Sequence, residues 1–577
     1  MTMRFFYSEH FDFDALDGFH LLQDHVNRGY PKAWDDHNYT VTFQIHRVSG
    51  GKRQSFGMAK VLAKDWQDTT KYFLQSGKKT GNSHDITDAL EPSRVVSLAS
   101  DIDYYQRLHK ALGSRDAMRY LRRICDASYF HNNYWNYSNW PGFSGSLFRN
   151  GSAAKTILDK GKQIAIGRHE REKTFSITLN DLPDTFDPLT FHFSNDDSDR
   201  LHGVSNINLL IGSNGVGKSH ILRHIVDVIA GVQPIRDSWP YFYKAVVTGY
   251  SPFENFDTKK ALLDRLRARD ATPDAPASDS DSTVNLNERN GTDDSNASVQ
   301  LHINEYAYIG FRNDENAFSV TWPMSHSARS ILKILQYDRK NFWWTEDSRF
   351  ANLFDTLKLS IDFDTLELTR HDGTRITLAR DDDPARAEIE TLEPDIDFEC
   401  GISFVKDGRT LDLSSGQRMY SYMLPCLAAE VEDESLVIID EPELYLHPTM
   451  EVNLINMLKH LLATRKSYAI IATHSSVMAR EIRHDAVTIL RHEHGRTHAS
   501  SPGFETFGES VDKIIGRAFD DYRVKKPYEE TLDRAIENYD SIDQALAAIA
   551  PRVGNDALAY VAASFAKHDE IRIEVRE

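Results

Sequence analysis

Apolar residues at every second position predict strands near the start of the chain. The first such run carries them at Tyr39, Val41, Phe43 and Ile45. This spacing is the period of a half-buried strand. Gly50-Gly51 then predicts a hairpin turn, and a return strand is expected near residues 56–62. Helical spacing follows, with Tyr104, Leu108 and Leu112 on one face before Gly113. The pattern predicts an α+β domain over residues 1–165.

Near residue 206 the pattern changes to a strand, a glycine-rich loop and a helix in direct succession. Residues 206–211 are a short apolar run, and residues 212–219 (GSNGVGKS) follow without a break. Behind the loop, one helical stripe carries Ile221, Leu222, Ile225, Val226 and Ile229. Gly231 then fits a helix C-terminus. A strand that leads into a glycine loop at a helix start predicts an α/β domain.

Composition divides the rest of the chain. Residues 271–299 are acidic, polar and almost free of large apolar groups, which predicts a disordered insertion. Residues 325–400 indicate a helical lid with a hairpin at Asp372-Gly373, and without heptads no long coiled-coil arms are expected. The predicted division starts with an N-terminal accessory domain (1–165), the first part of the α/β domain (166–270) and the insertion (271–299). It continues with the lid region (300–400), the second part of the α/β domain (401–518) and a helical tail (519–577).

Charge and cysteine content exclude several classes of protein. The formal net charge of -19 argues against a protein that mainly coats nucleic acid, because such proteins are more often basic. The three cysteines are far apart, so neither a disulfide framework nor a cysteine-based zinc site is expected. The sequence shows no signal peptide and no apolar run long enough to span a membrane. We therefore expect a cytoplasmic protein with no membrane partner.

The loop at 212–219 fits the phosphate-binding pattern GxxxxGK[ST] at every fixed position. Its glycines let several backbone N–H groups point at one anion, and the helix start adds partial positive charge. Lys218 is expected to reach the β- and γ-phosphates, and the Ser219 hydroxyl to ligate Mg²⁺. The predicted ATP-binding residues of this segment are Gly212, Ser213, Asn214, Gly215, Val216, Gly217, Lys218, Ser219 and His220.

Three further segments supply the groups that hydrolysis of ATP needs. The apolar strand 436–439 ends at Asp440 and Glu441, where one carboxylate can hold Mg²⁺ and the next can act as general base. The apolar strand 468–473 ends at His474, which can sense the γ-phosphate or orient the attacking water. A helix start at Ser414, Ser415, Gly416 and Gln417 is a second anion site. Taken singly, each segment also fits a structural role as a solvated turn, a structural histidine or an N-cap.

In this order, the four segments resemble the ABC-type ATPases of the SMC/RecF/OLD-like branch. The resemblance lies in GSNGVGKS, LSSGQ, LVIIDEPELYLHP and IIATHS, and it covers residues 165–515. It implies Walker A at 212–219, the signature at 413–417, Walker B at 436–440, catalytic Glu441 and switch residue His474. The implied fold is α/β, an ABC-type P-loop ATPase head of mixed sheet and helices, with a helical lid and the N-terminal α+β domain.

The same resemblance implies a dimer. In that family two heads enclose two ATP molecules, and the signature of one head faces the Walker A loop of the other. The glutamine that normally touches Mg²⁺ at the head–lid junction has no obvious counterpart here. The candidates are the two strand exits at residues 250–253 and 309–313.

Three other features leave alternatives open. The aromatic run at 129–148 fits either base stacking or, more readily, a packed loop, because lysine and arginine are nearly absent there. His492, His494 and His498 fit a metal site, but more readily a hairpin that turns at Gly495. The residues after His474 lack a Toprim pattern, with Asp520-Asp521 the nearest candidate, so no nuclease domain is expected in this chain.

Weaker resemblances point to a biological role. Residues 505–511 (ETFGESV) resemble the segment that follows the switch histidine in prokaryotic defence ATPases. Residues 250–256 (YSPFENF) and 308–312 (YIGFR) are similar to the ATPase subunits of Septu-like and retron-associated antiphage systems. There the ATPase partners a separate HNH-type nuclease, so an ATPase that regulates a partner effector is the leading hypothesis. The alternative is a RecF-like ATPase that binds DNA ends for repair, for which nucleic acid would be the partner. A transporter subunit is a third class, against which the LYLHP tract argues.

Overall fold

The computed structural model describes most of the chain, which divides into two compact units, residues 1–507 and 508–577. The described residues are 3–10, 16–26, 32–33, 38–149, 151–169, 174–194, 205–233, 239, 242–251, 254, 256–270, 305–342, 348–382, 389, 391–518, 525–539 and 541–574. The predicted insertion at 271–299 and the candidate pair Asp520-Asp521 lie outside these residues.

The N-terminal part of the first unit is a seven-stranded sheet flanked by helices. Its strands are β1 (Phe5–Ser8), β2 (Gly18–Gln23), β3 (Thr42–Ser49), β4 (Lys52–Ala63), β5 (Lys78–Thr80), β6 (Ser83–Asp85) and β7 (Val95–Ala99). They are ordered β5-β6-β1-β2-β3-β4-β7. The helices are α1 (Thr69–Ser76), α2 (Ile102–Arg123), α3 (Tyr134–Tyr137) and α4 (Gly151–Ala165). The predicted hairpin joins β3 to β4, and Gly50 and Gly51 both take positive φ at its turn.

The aromatic run at 129–148 mainly packs into the core beside this sheet. Tyr137, Trp140, Phe143 and Leu147 are buried there, which supports the packed-loop interpretation. Trp135 is the exception, because 70% of it is exposed.

A small hairpin and the first half of the central sheet follow. These elements are β8 (Thr174–Leu179), β9 (Leu189–Ser194), β10 (Ile207–Gly212), α5 (Lys218–Ile229), β11 (Ala245–Gly249), α6 (Lys259–Asp270) and β12 (Tyr306–Gly310). The apolar stripe predicted behind the loop is the buried face of α5, and it packs under the central sheet.

The lid region combines helices with an antiparallel sheet. Its elements are α7 (Trp322–Asn341), α8 (Arg349–Lys358), β13 (Thr365–Thr369), β14 (Arg375–Leu378), β15 (Ile402–Lys406) and β16 (Arg409–Thr410). The hairpin predicted at Asp372-Gly373 joins β13 to β14. Beside the predicted helices, the structure has a sheet of four strands, ordered β14-β13-β15-β16. Every second side chain of β13 is buried, at Leu366 and Leu368.

The chain then returns to the central sheet. The elements are α9 (Ser415–Glu430), β17 (Leu436–Asp440), α10 (Pro448–Arg465), β18 (Tyr468–Thr473), α11 (Ser476–Ala479), β19 (Val487–Glu493) and β20 (Arg496–Ser500). The sheet order is β12-β11-β17-β18-β10-β19-β20. All neighbouring pairs are parallel except β19 with β20. Parallel strands buried on both faces explain the near-continuous apolar runs that the sequence shows at 207–211, 436–439 and 468–472.

The end of α9 and the short acidic turn before β17 hold several elements together. Glu430 pairs with Lys244 and Lys333, each at 2.5 Å, and Glu432 pairs with Arg349 of α8 at 2.6 Å. Asp433 accepts a hydrogen bond from Gln106 of α2, and Glu434 pairs with Lys160 of α4. The turn therefore connects the lid, the N-terminal helices and the start of β11.

The second unit is helical, as predicted for the tail. Its helices are α12 (Val511–Ala518), α13 (Pro527–Ile536), α14 (Ile542–Ile549) and α15 (Asn555–Glu574). Helices α13, α14 and α15 share a small core, formed by Leu532, Ile536, Ala545, Ile549 and Val561. Within the described parts of both units, no helix is long and apolar enough to cross a membrane.

Candidate nucleotide site

The carboxyl ends of the central parallel strands meet at one edge of the sheet. Gly249 of β11 lies opposite Asp440 of β17, and Asp440 lies opposite Ala472 of β18. Thr473 of β18 in turn lies opposite Ile211 of β10. The glycine loop, the Asp440-Glu441 pair and His474 all follow directly from these strand ends. In open α/β sheets, this edge is where ligands bind.

The glycine loop bends as a phosphate cradle requires. Gly215 and Gly217 take φ of 81° and 99°, a left-handed conformation that glycine adopts at little cost. Ser213 and Asn214 are exposed, whereas Val216 is buried and its carbonyl accepts a hydrogen bond from Thr497 at 3.1 Å. The loop ends at the start of α5, whose unpaired N–H groups and dipole favour an anion.

Lys218 is buried at the centre of the site. Its Nζ donates to the carbonyls of Gly212 and Ser213, at 3.1 and 3.3 Å. The same nitrogen lies 2.6 Å from Nε2 of His474. Burial lowers the pKa of Lys218, and the negative charge of Glu441 acts in the opposite direction. The ammonium group is therefore held against both the loop and the residues that follow β17 and β18.

Asp440 supplies a buried carboxylate beside Ser219. Only 5% of the residue is exposed, and burial raises its pKa to about 6 although Ser219 donates a hydrogen bond to it. Within the described residues, Oδ1 of Asp440 has no hydrogen-bond partner. A hydroxyl and a carboxylate with a free oxygen are the hard ligands that Mg²⁺ prefers, and Mg²⁺ usually takes few protein ligands and keeps several waters. The pair therefore fits a magnesium ion bound together with a nucleotide.

Glu441 and His474 are in contact across the ends of β17 and β18. Oε1 of Glu441 lies 3.1 Å from Nε2 of His474. Glu441 has φ of 47°, a strained conformation for a residue with a side chain, and its N–H donates to Ala472 at 2.9 Å. Burial, followed by the positive charge of Lys218, lowers the pKa of His474. A neutral imidazole beside a carboxylate can accept or orient a proton of water.

Among the described residues, no hydrogen bond or ion pair joins residues 414–417 to this group. Ser414 caps α9, and its side chain and that of Gln417 exchange hydrogen bonds with each other's backbone. Gly416 packs so tightly that a Cβ there would lie 2.5 Å from the sulfur of Met450. Ser414 and Ser415 are exposed. The helix start therefore exposes the two serines next to the segment that follows β17, while the capping box engages the N–H groups of Ser414 and Gln417.

Glu254 is a candidate site residue that sequence reasoning missed. A Cβ on Gly249 would lie 3.2 Å from Cγ of Glu254, so the glutamate occupies the space of a side chain opposite Asp440. Its carboxylate accepts hydrogen bonds from Tyr308 at 2.6 Å and from the N–H of Phe256 at 2.8 Å. Arg312 lies 3.6 Å away.

Both candidate strand exits thus adjoin Glu254. The exit after β11 precedes it directly, β12 contributes Tyr308, and the exit after β12 contributes Arg312. A carboxylate placed five residues beyond a buried strand was the available sequence signal, but only the pairing of β11 with β17 brings Glu254 beside Asp440.

Phe186 is a second residue that the sequence did not single out. Its ring stacks on that of His220 at 5.3 Å, and a Cβ on Gly217 would lie 2.6 Å from it. His220, predicted to bind ATP, therefore lies against an aromatic ring at the loop, and burial lowers its pKa.

The histidine-rich segment forms the predicted hairpin. His494 and Gly495 both take positive φ at the turn between β19 and β20. His498 hydrogen-bonds to Asp187 at 2.8 Å, and His492 to Thr497 at 3.2 Å. Among the described residues, no group of three or more histidine, cysteine, aspartate or glutamate side chains could hold a metal ion.

Comparison with known families agrees with this geometry. The profile of the family described as "AAA domain, putative AbiEii toxin, Type IV TA system" matches residues 207–479, from β10 to α11. Together with the loop and the strand order, this match supports a P-loop ATPase fold for the segment that carries the central parallel sheet. Near full length, it is similar to protein ea59 of Escherichia phage lambda, with 22% identity over 586 residues that cover 95% of this chain and 97% of ea59.

Solved structures give weaker similarities. An ATP-binding cassette of an ABC transporter in its ADP conformation is 14% identical and has a TM-score of 0.24. The alignment covers 59% of this chain and 93% of the cassette. An SMC head bound to the C-terminal winged-helix domain of ScpA is 15% identical and has a TM-score of 0.27. The alignment covers 57% of this chain and 94% of the SMC head. TM-scores this low carry no weight, so the P-loop ATPase fold is inferred from the sheet, the loop and the family match.

Proposed function

We propose that this protein hydrolyses ATP at a site shared by two copies of the chain. The observation that carries the proposal is the chain of contacts from Lys218 to His474 to Glu441, beside buried Asp440, at the carboxyl edge of a parallel sheet. These groups are a cation for phosphate, a carboxylate for a metal ion, and a carboxylate–imidazole pair for water.

Each group has a role that its surroundings support. Lys218 and the N–H groups of residues 212–219 bind the phosphates. Ser219 and Asp440 hold Mg²⁺, which neutralises charge on the phosphates when bound. Glu441 accepts a proton from the attacking water, and His474 orients that water because its ring is fixed between Glu441 and Lys218. Glu254, opposite Asp440 across Gly249, adds a second carboxylate on the metal side.

The second copy supplies the signature. Ser414 and Ser415 are exposed at the start of α9, where they can meet the phosphates held by the loop of another chain. The resemblance to SMC/RecF/OLD-like heads supports this arrangement, in which ATP joins the two heads. The protein is accordingly at least a dimer when ATP is bound.

The test of the shared site is Ser415→Arg. A long cation at an exposed helix start should block the approach of the second chain without disturbing the loop of its own. We expect ATP binding to persist while ATP-dependent dimerisation, followed by light scattering, and phosphate release are both lost. The control Glu399→Arg places the same side chain on an exposed lid position. Full activity and dimerisation of Ser415→Arg would refute the shared site.

We further propose that the ATP state controls a separate effector, such as an HNH-type nuclease, in prokaryotic antiphage defence. This role is supported by the similarity of residues 250–256 and 308–312 to Septu-like and retron-associated ATPases, and of residues 505–511 to prokaryotic defence ATPases. The matched family is described with a toxin–antitoxin system, which is also a two-component arrangement. Co-purification from the native operon should recover the effector. A lone homodimer, together with unchanged phage sensitivity on deletion, would contradict the role.

The second candidate is a RecF-like ATPase that binds DNA ends. It predicts that duplex DNA stimulates ATP hydrolysis several-fold, which the effector role does not require. The net charge of -19 favours the effector role, because DNA binding depends on basic surface.

A further inference from the structure

Glu443 connects the segment after β17 to the end of β18. It lies in a short 3-10 turn, Pro442–Tyr445, that folds back directly after Glu441. Its Oε1 accepts a hydrogen bond from the backbone N–H of His474 at 2.6 Å. The last paired residue of β18 is Thr473, so the amide of His474 takes its acceptor from this glutamate instead of from a neighbouring strand.

This contact fixes the backbone from which the His474 ring extends. The ring itself is held at Nε2, which lies 3.1 Å from Glu441 and 2.6 Å from Lys218. Glu441 and Glu443 come from the same turn, so one short segment holds both the ring and the backbone of His474. A displacement of the backbone would separate the imidazole from Glu441, and misplacing a catalytic group by about 1 Å can cost on the order of a hundredfold in rate.

The second oxygen of Glu443 indicates that packing alone does not explain this residue. Oε2 is buried without a hydrogen bond of good geometry within the described part of the chain, although the hydroxyl of Thr473 acts on the carboxyl and lowers its pKa. Burial raises the pKa of Glu443, and the negative charge of Glu441 acts in the same direction. A buried acceptor left unpaired is unfavourable for folding, and such groups in native proteins call for an explanation.

We propose that Glu443 is a positioning residue that holds His474 in register with Glu441 and Lys218 for hydrolysis. It acts through the backbone of His474 and touches neither phosphate nor water. The inference rests on the proposed ATPase function, because the readout of positioning is the rate of hydrolysis.

The test compares Glu443→Ala with Glu443→Gln in the full chain. Alanine removes the acceptor, whereas glutamine keeps an amide oxygen that can accept the same N–H. We expect Glu443→Ala to lower kcat about 10- to 100-fold with ATP affinity within about threefold of the wild type, and Glu443→Gln to recover most of the loss. ATP affinity is measured with a fluorescent nucleotide and kcat by phosphate release per folded protein.

A matched control separates positioning from stability. Glu434→Ala removes another ion-paired glutamate, at the opposite end of β17, where it contacts Lys160 and His169. It should lower Tm without lowering the kcat of the folded protein. The proposal would be overturned if Glu443→Ala kept the wild-type kcat, or if Glu434→Ala lost as much kcat as Glu443→Ala. It would equally be overturned if Glu443→Gln recovered none of the lost kcat.

The rate at which diethyl pyrocarbonate modifies His474, followed by peptide mass spectrometry, is independent of hydrolysis. We expect modification several-fold faster in Glu443→Ala than in the wild type, because the ring loses its fixed place. If the wild type fails to hydrolyse ATP, the proposed function falls while this rate still decides the positioning role. An unchanged rate would overturn the positioning role in either case.

Discussion

Asp440 shows how one buried carboxylate is prepared for a metal ion. Its burial disfavours the charged form, and its free Oδ1 has no partner among the described residues to offset that cost. A bound cation beside Ser219 would remove the penalty. The residue is therefore unfavourable for the stability of the nucleotide-free protein but suited to binding, a conflict that is typical of functional sites.

The first prediction concerns Asp440→Asn and pH. Because the folded pKa of Asp440 is raised to about 6 from 3.8, the folded state binds its proton more tightly, and stability falls as pH rises through that interval. Asparagine cannot ionise, so we expect Asp440→Asn to be more stable than the wild type at pH 7, by an amount on the order of 2 kcal/mol without metal.

The advantage of the variant should shrink toward pH 5, since the wild-type carboxyl is then largely protonated. Chemical denaturation between pH 5 and 8 in the presence of EDTA measures it. Equal stability of the two proteins at every pH would contradict the account of Asp440. Magnesium with ATP should stabilise the wild type and not Asp440→Asn.

At the scale of elements, the end of α9 and the acidic turn before β17 connect several parts of the first unit. α9 begins at the signature and ends at Glu430, and β17 begins soon after and ends at Asp440. The carboxylates of the turn pair with α7, α8, α4 and the start of β11. Both ends of the proposed site are thus linked to the lid and to the N-terminal helices through one segment.

The second prediction tests the strength of this link with Glu432→Gln. Arg349, its partner at 2.6 Å, is buried, and removal of the carboxylate would leave a guanidinium without its counter-charge. Breaking a buried ion pair costs about 3 kcal/mol of unfolding free energy. The control Glu315→Gln breaks the exposed pair with Lys260 and should cause no measurable change. Equal effects of the two substitutions would show that the turn has no special structural role.

The elements also show what the sequence could and could not predict. The β3–β4 hairpin, α5 and the strands at 207–211 and 436–440 were predictable, because their apolar period and their glycines are local signals. The lid hairpin was predicted from Asp372-Gly373, whereas the pairing of β13 with β15 was missed, since these strands are short and lie far apart in sequence. Glu254 and Glu443 were missed because each acquires its role from a residue that is distant in sequence or on another strand.

At the scale of the whole molecule, the site is assembled by topology. The phosphate loop and the Asp440-Glu441 pair are distant in sequence, yet β10 and β17 both pair with β18 in the central sheet. The order of the motifs along the chain predicted this meeting through the family resemblance. The geometry adds that Ser414 and Ser415 are exposed at the start of α9, where a second copy could complete the site that we propose.

The most direct test of the shared site mixes two inactive variants, Lys218→Ala and Ser415→Ala. The first lacks the lysine proposed to bind phosphate, and the second lacks the signature hydroxyl but not the ability to dimerise, because it carries no long side chain of the kind that keeps two chains apart in Ser415→Arg. In a two-fold dimer that forms at random, a mixed pair keeps one intact site, which joins the loop of one chain to the signature of the other. The account predicts that an equimolar mixture recovers about a quarter of wild-type ATPase activity. A mixture no more active than its two components would contradict a site built from two copies.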